Sequence, residues 1–288
     1  MKMKNVLELS ASVAIALLTG VAQSADIVRA NIPSGSMKRD IPVRIVLPVG
    51  YADATNRYPV VYLLHGAGGS CETFLAKEYW PVLSESADCF GCLFVLPDGS
   101  PDSWWFDSPI DSSFCYETHV TKEVVPFVDA NYRTIPDRAH RAIAGGSMGG
   151  HGAGGIGIRH KDAYGAVGII FGGVDFRKFP NNWHIRDRLG NYAENKDRWF
   201  KHTVLHEAAS LKSGELDLIS VVGTGDFFLD CNRSLHQLLS DNKVEHVHIE
   251  IRGGDEPHST HHRMFCVMAL KIVLPYFNRF FVEGKGRL

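Results

Sequence analysis

The sequence predicts an α/β fold: a mostly parallel central sheet of about eight strands, with an N-terminal antiparallel pair and helices on both faces. Two observations carry this. Short apolar runs alternate with longer helical stretches along the chain, and most of those runs are continuously apolar, as strands covered on both faces must be. Composition agrees, since 45% hydrophobic and 22% charged residues in 288 suit an ordinary globular chain and exclude disorder, collagen and coiled coil.

The elements follow in order. Segments 26–31 and 41–47 are β-rich and flank a Pro-Ser-Gly-Ser turn, so they read as an antiparallel pair. Further strands are expected at 60–64, 92–96, 141–144, 166–171, 218–222 and 247–251. Helices are expected at 118–131, in the segment after Ser147, at 234–240 and at 262–281. Parallel strands joined through helices imply right-handed crossovers. One interval breaks the rhythm. Residues 175–201 are aromatic and charged without a clear strand, and too long for an ordinary connection, so they read as an excursion over one end of the sheet.

Thirty Lys+Arg against 32 Asp+Glu leave a net charge of -2, so no global positive field would gather nucleic acid. At the N-terminus, Lys2 and Lys4 precede an apolar stretch from Ala11 to Val21, and Ala22-Gln23-Ser24 places small residues where a signal peptidase requires them. Residues 1–24 are therefore read as a signal peptide and 25–288 as one domain, periplasmic or secreted, with no membrane association after cleavage. Six cysteines (Cys71, Cys89, Cys92, Cys115, Cys231, Cys266) could then form up to three disulfides, with the pairing left open. Cys89-Phe-Gly-Cys92 has redox spacing, but its second half looks like a buried strand, where a thiol packs as a small hydrophobe.

The most informative stretch is Arg141-Ala-Ile-Ala-Gly-Gly-Ser147-Met-Gly-Gly150, an apolar strand running into G-x-S-x-G and then a helical segment. A serine on such a strand-to-helix turn is lifted above the sheet, and it leaves the amide of Met148 free at a helix N-terminus. Gly149, Gly150, Gly152, Gly154, Gly155 and Gly157 each weaken the helix by about 0.8–1 kcal/mol relative to alanine. Close packing of a glycine face on the sheet would offset that cost.

A serine nucleophile needs a base, and the base needs a carboxylate. Asp226 follows the strand at 218–222 in Gly-Thr-Gly-Asp, and is preferred to Asp230. His258 follows the last strand in Gly-Gly-Asp-Glu-Pro-His and is preferred to His261 and His262, which the periodicity assigns to the start of the terminal helix. The order Ser147, Asp226, His258 is that of α/β-hydrolases. For the second oxyanion donor, the strand at 60–64 ends in His65-Gly-Ala-Gly-Gly69, whose small residues let the backbone approach a developing negative oxygen. Ala67 is the preferred donor, with Gly66 as its neighbour. Trp104 and Trp105 follow the strand end Pro97-Asp-Gly and are assigned to substrate, with core packing as the competing role. The histidines at 258, 261, 262, 246 and 248 lack a carboxylate or cysteine pattern suited to a metal, so no metal and no organic cofactor is expected.

Together, Tyr58-Pro-Val-Val-Tyr-Leu-Leu-His-Gly, Val95-Leu-Pro-Asp-Gly99, Tyr116-Glu-Thr, Arg138 with Arg141-Ala-Ile-Ala-Gly, Ser147-Met-Gly-Gly and Gly223-Thr-Gly-Asp226 resemble the esterase D-like family of α/β-hydrolases. That family includes tributyrin, feruloyl and acetyl-xylan esterases, S-formylglutathione hydrolases and mycolyltransferases. The resemblance implies a serine carboxylesterase with Ser147, Asp226 and His258 as triad, and Met148 and the loop after His65 as oxyanion donors. In many relatives the base stands in Gly-x-His before an aromatic residue; here His258 follows Glu-Pro and precedes Ser-Thr-His. Export argues against the cytosolic thioester substrate. The expected substrates are short acyl or hydroxycinnamoyl esters, small or linked to plant polysaccharide. The competing readings are an acyltransferase using the same triad and a non-catalytic carbohydrate-binding protein.

Overall fold

The structure, a computed structural model, describes residues 25–252 and 260–286. The signal-peptide reading of residues 1–24 lies outside them. The eight strands are β1 (Asp26–Ser34), β2 (Arg39–Leu47), β3 (Val60–Leu64), β4 (Leu93–Pro97), β5 (Arg141–Gly146), β6 (Ala166–Ile170), β7 (Asp217–Gly223) and β8 (Val247–Ile251). They form one sheet in the order β1-β2-β4-β3-β5-β6-β7-β8. β2 is antiparallel to both its neighbours, and the pairs from β4 to β8 are all parallel.

The continuous apolarity of the strands now has its cause. In β3, Val60, Tyr62 and Leu64 point into one core, shared with the helices α3 (Val125–Asn131), α4 (Met148–Arg159) and α8 (Leu229–Asp241). Val61 and Leu63 point into the other, beneath α1 (Trp80–Phe90) and α9 (Arg263–Glu283). The remaining short helices are α2 (Tyr116–Thr118), which runs into a π-helical segment at His119–Val124 and then α3, with α5 (Ile185–Leu189), α6 (Lys196–Lys201) and α7 (Val204–Ala208). α9 is long and apolar enough to span a bilayer, but the residues that make it so, from Phe265 to Phe280, pack against the sheet and α1.

Strand positions agree with expectation to within a few residues. Helix α1 has no counterpart in the sequence reading, because Pro81, Ser84, Glu85, Ser86 and Asp88 mask its apolar face of Val82, Leu83 and Ala87. It also separates the two thiols with redox spacing. Cys89 lies in its last turn, Gly91 closes it at φ 55°, and Cys92 is buried at the entry to β4. All six cysteines are unpaired.

The glycine face of α4 packs as its composition implied. A Cβ on Gly149 would lie 1.9 Å from the Leu64 carbonyl oxygen, and one on Gly157 would lie 2.4 Å from the Val167 side chain. The helix therefore sits against β3 and β6 closer than any other residue would permit. Its far end is tied down electrostatically. Arg159 Nε and NH2 donate to the two oxygens of Glu117 at 2.8 and 2.6 Å, NH1 donates to Glu207, and His160 Nε2 lies 2.8 Å from Glu117.

Burial alone would raise the Glu117 carboxyl, but the hydrogen bonds from His160 and Arg159 outweigh it and hold its pKa at about 2, below its ordinary 4.5. A carboxyl depressed by folding stabilises the fold above its unfolded pKa and loses that contribution as pH falls through the folded one. We expect Glu117→Gln to cost about 2–3 kcal/mol near pH 7, with the gap to the parent protein closing between about pH 4.5 and 2. Urea midpoints measured across that range check this. A gap independent of pH would refute the electrostatic origin.

Candidate active site

The nucleophile turn is built where β5 meets α4. Ser147 has φ 58° and ψ −117°, a conformation a non-glycine residue adopts only when its surroundings enforce it. They do so here. The Ser147 amide donates to Ile170 O at 3.0 Å, and its carbonyl accepts from His151 N and Gly173 N. Gly145 and Gly149 admit the turn, since a Cβ on Gly145 would meet the Gly149 backbone at 2.5 Å.

Asp226 follows β7, with its side chain fully buried. Its Oδ1 accepts from Phe228 N at 2.7 Å, which fixes the carboxylate plane. Its Oδ2 lies 2.7 Å from Nδ1 of His261, whose Nε2 lies 3.0 Å from Ser147 Oγ. A carboxylate can only accept, so Nδ1 carries the proton and Nε2 presents a lone pair to the serine hydroxyl. That is the tautomer a general base requires. The imidazole is 16% exposed and held between Phe171 and Phe227, at centroid distances of 4.6 and 4.1 Å.

This corrects the assignment of the base. His258 lies outside the described residues, and the ring joining Ser147 to Asp226 is that of His261. The sequence reading placed His261 inside the terminal helix, but α9 begins at Arg263. His262 is its N-cap, with Nδ1 accepting from Phe265 N at 3.3 Å, and His261 is left in the loop before it. Thr260, buried against Gly223, sets the loop's path. Asp230, the competing carboxylate, is exposed and pairs with Lys178.

Met148 opens α4, so its amide is among those an α-helix leaves without an internal partner. Opposite it runs the loop from His65 to Gly69. A Cβ on Gly66 would stand 3.4 Å from Ser147 Cβ. The amides of Gly68 and Gly69 are engaged by Pro101 O and Gly66 O, while Ala67 lines both clefts that open at Ser147. This arrangement suits Met148 and Ala67 as the two donors to an oxyanion.

His65 is missing from the sequence assignment as a working residue. It is 1% exposed, its Nε2 accepts from Gly99 N at 2.9 Å, and its Nδ1 donates to Gly66 O at 2.9 Å. Burial, the largest influence, pushes the imidazole toward the neutral form, which is the one these two bonds demand. The ring thus pins the oxyanion loop to the end of β4.

Trp104 and Trp105 need a second correction. Both are 1% exposed and line neither cleft. Their indole N–H groups donate to Trp183 O at 3.0 Å and His65 O at 3.2 Å. Trp105 lies against Gly99 and Gly152, so it packs between the oxyanion loop and α4. The aromatic side chains that do line a cleft at Ser147 are the half-buried Trp183, from the excursion, and Phe227, the residue after Asp226. Their rings stack at 5.6 Å and 21° in the wall of a cleft of about 640 Å³ that also contains Ser147 and His261. A second cleft of about 390 Å³, on the Thr73, Phe74, Tyr79 and Arg263 side, shares the same serine and histidine. Trp183 belonged to a stretch flagged as aromatic; nothing in the sequence distinguished Phe227 from a core residue.

A mostly parallel sheet, a serine on a strained strand-to-helix turn, and an acid and an imidazole supplied in that chain order define an α/β-hydrolase. The chain belongs to the esterase family described as "Putative esterase", whose model matches residues 34–264. Esterase Rv1288 of Mycobacterium tuberculosis is 36% identical over 115 residues, 38% of this chain and 24% of the relative. The chain thus matches only about a quarter of that relative's length. Bovine (Bos taurus) S-formylglutathione hydrolase is 26% identical over 66% of this chain and 71% of the relative. Among solved structures, a ferulic acid esterase superposes with TM-score 0.74 at 24% identity, covering 89% of this chain and 98% of its own.

Proposed function

We propose that the protein is an exported serine carboxylesterase acting on short acyl or hydroxycinnamoyl esters, free or carried on plant polysaccharide. The observation that carries the catalytic part is the continuous Ser147–His261–Asp226 relay opening onto two clefts. Ser147 attacks the ester carbonyl as His261 takes its proton. The oxyanion forms against the Met148 and Ala67 amides, and the imidazolium, stabilised by Asp226, returns the proton to the leaving alcohol. Water then enters by the same base and releases the acid.

Two clefts meeting at one serine suit a substrate with a group on each side of the ester bond. The stacked pair Trp183–Phe227 supports the hydroxycinnamoyl choice, because a planar ring gains most from a flat aromatic wall. The xylanase/feruloyl esterase of Xylanibacter ruminicola, 30% identical over 45% of this chain and 19% of that protein, supports the same choice. The first 24 residues support export.

The test is turnover of p-nitrophenyl esters from acetate to octanoate and of methyl ferulate, with Ser147→Ala as blank and a fluorophosphonate to label Ser147. We expect labelling and turnover of acetate and ferulate, both abolished in Ser147→Ala. Capture of the acyl group by added sugar in place of water would make the enzyme an acyltransferase. Failure of the fluorophosphonate to label would overturn catalysis altogether.

A further inference from the structure

One of the anchors of the wall that the excursion contributes to the larger cleft is a buried cation. Arg188, on α5, lies five residues beyond Trp183 and four beyond His184, which both line that cleft. Its side chain is 10% exposed. NH2 donates to Asp102 Oδ2 at 3.1 Å, NH1 donates to Asp111 Oδ2 at 3.3 Å, and the guanidinium carbon lies 3.4 Å from the centroid of the Phe114 ring. The Arg188 carbonyl accepts from Ser108 Oγ at 2.7 Å. Asp102 is itself part of the cleft wall, contributed by the loop after β4. One side chain therefore ties together two of the chain segments that line the larger cleft.

The surroundings make this anchor specific. A planar guanidinium can address two carboxylates and an aromatic face at once, which a point charge cannot. Without it, Asp102 and Asp111 lose their shared counter-charge, which leaves the Ser100 hydroxyl to hold Asp102 and the Ser113 bonds to hold Asp111. Trp183 and His184 stand at φ 49° and 58°, left-handed conformations for bulky side chains, so this stretch keeps its shape only while its attachments hold. Its attachments are the Trp104 indole, the rings of Phe227 and Phe228, and α5 with its Arg188.

We propose that Arg188 is a positioning residue that sets the width of the acyl cleft between Asp102 and Trp183. The proposal rests on the esterase reading above and deepens it: this ion-paired clamp holds the Asp102 side and the Trp183 side of the larger cleft at a fixed separation for the acyl group. Arg188 touches no reacting atom, so its loss should appear in KM rather than in kcat.

The experiment compares the parent enzyme with Arg188→Met, Arg188→Lys, Asp102→Asn and the Met/Asn double variant, on methyl ferulate and p-nitrophenyl acetate. For Arg188→Met we expect KM for methyl ferulate to rise about tenfold with kcat changed less than about threefold, and a smaller KM change for acetate. Arg188→Lys keeps charge without the fork and should fall between. The Asp102→Asn and Arg188→Met effects on KM should be non-additive, because they break the same contact. In the Ser147→Ala background, calorimetry should show methyl ferulate binding about tenfold more weakly once Arg188 is also changed to Met. Equal losses on both esters, a loss confined to kcat, or additive effects would overturn the clamp. Fluorophosphonate labelling separates the two levels: no labelling of the parent enzyme removes the esterase reading, whereas labelling with KM unmoved removes only the clamp. Should Arg188→Met fail to fold, Arg188→Lys and Asp102→Asn carry the same comparison.

Discussion

His261→Ala should lower kcat on p-nitrophenyl acetate by about 10⁴-fold, while His258→Ala stays within a few-fold of the parent enzyme. The contrast follows from a single ring bonded at once to Ser147 Oγ and Asp226 Oδ2, so the one hydroxyl proton of Ser147 is already directed at an imidazole held by the acid. Initial rates at saturating substrate, with thermal midpoints to confirm folding, check the pair. The fluorophosphonate labelling rate should fall in parallel, because labelling needs the same proton removal. The reverse ranking of the two histidines would refute the assignment of the base.

Asp226→Asn should be nearly as damaging, with a loss in kcat of about 10⁴-fold and little change in KM. An amide in that place offers N–H as well as C=O. It can hold the imidazole with its proton on Nε2, the tautomer that cannot accept from Ser147. It also leaves the imidazolium of the transition state without a counter-charge. The Asp226 carboxylate is fully buried and braced by the Phe228 amide, so no neighbouring acid can swing in; Asp230 is at the surface with Lys178. Asp230→Asn should therefore leave kcat unchanged within about twofold. Equal loss in the two variants would show that the acid had been misplaced.

Much of this was legible in the sequence, for physical reasons. Strands buried on both faces are apolar throughout, so β3 and β5 announced themselves, and the serine turn is readable because glycine alone fits at Gly145 and Gly149. Asp226 was readable because acids that serve such sites follow a strand end. The base was not. His258 and His261 are three residues apart in the sequence, and choosing between them depended on where α9 starts, which the His262 cap decides. Trp104 and Trp105 misled for a related reason. A tryptophan pair after a strand end resembles a ligand platform, but left-handed backbone at both residues turns the indoles inward onto carbonyl partners. Pairwise contacts between distant segments, such as Phe227 with Trp183 or Arg188 with Asp102, leave no local pattern to read.

The origin of the cleft wall carries a last consequence. Ser147, Asp226 and the His65–Gly69 loop sit where strands end: Ser147 and Asp226 are bonded to sheet backbone at Ile170 O and Gly223 O, and the loop is bonded to the segment after β4 through Gly99 and Pro101. Trp183, His184 and Arg188 belong to a stretch outside the sheet that meets the rest of the chain through polar bonds to Asp102, Asp111, Ser108 and Trp104 and through ring contacts to Phe114, Phe227 and Phe228. The reactive residues are thus carried by the strand ends, while the outer part of the cleft wall comes from a separate piece of chain that meets them at Phe227. Sequence drift or deliberate exchange across 175–201, with those polar and ring contacts retained, could re-tune which acyl groups are accepted while Ser147, His261 and Asp226 are left untouched, making this segment the natural unit for grafting.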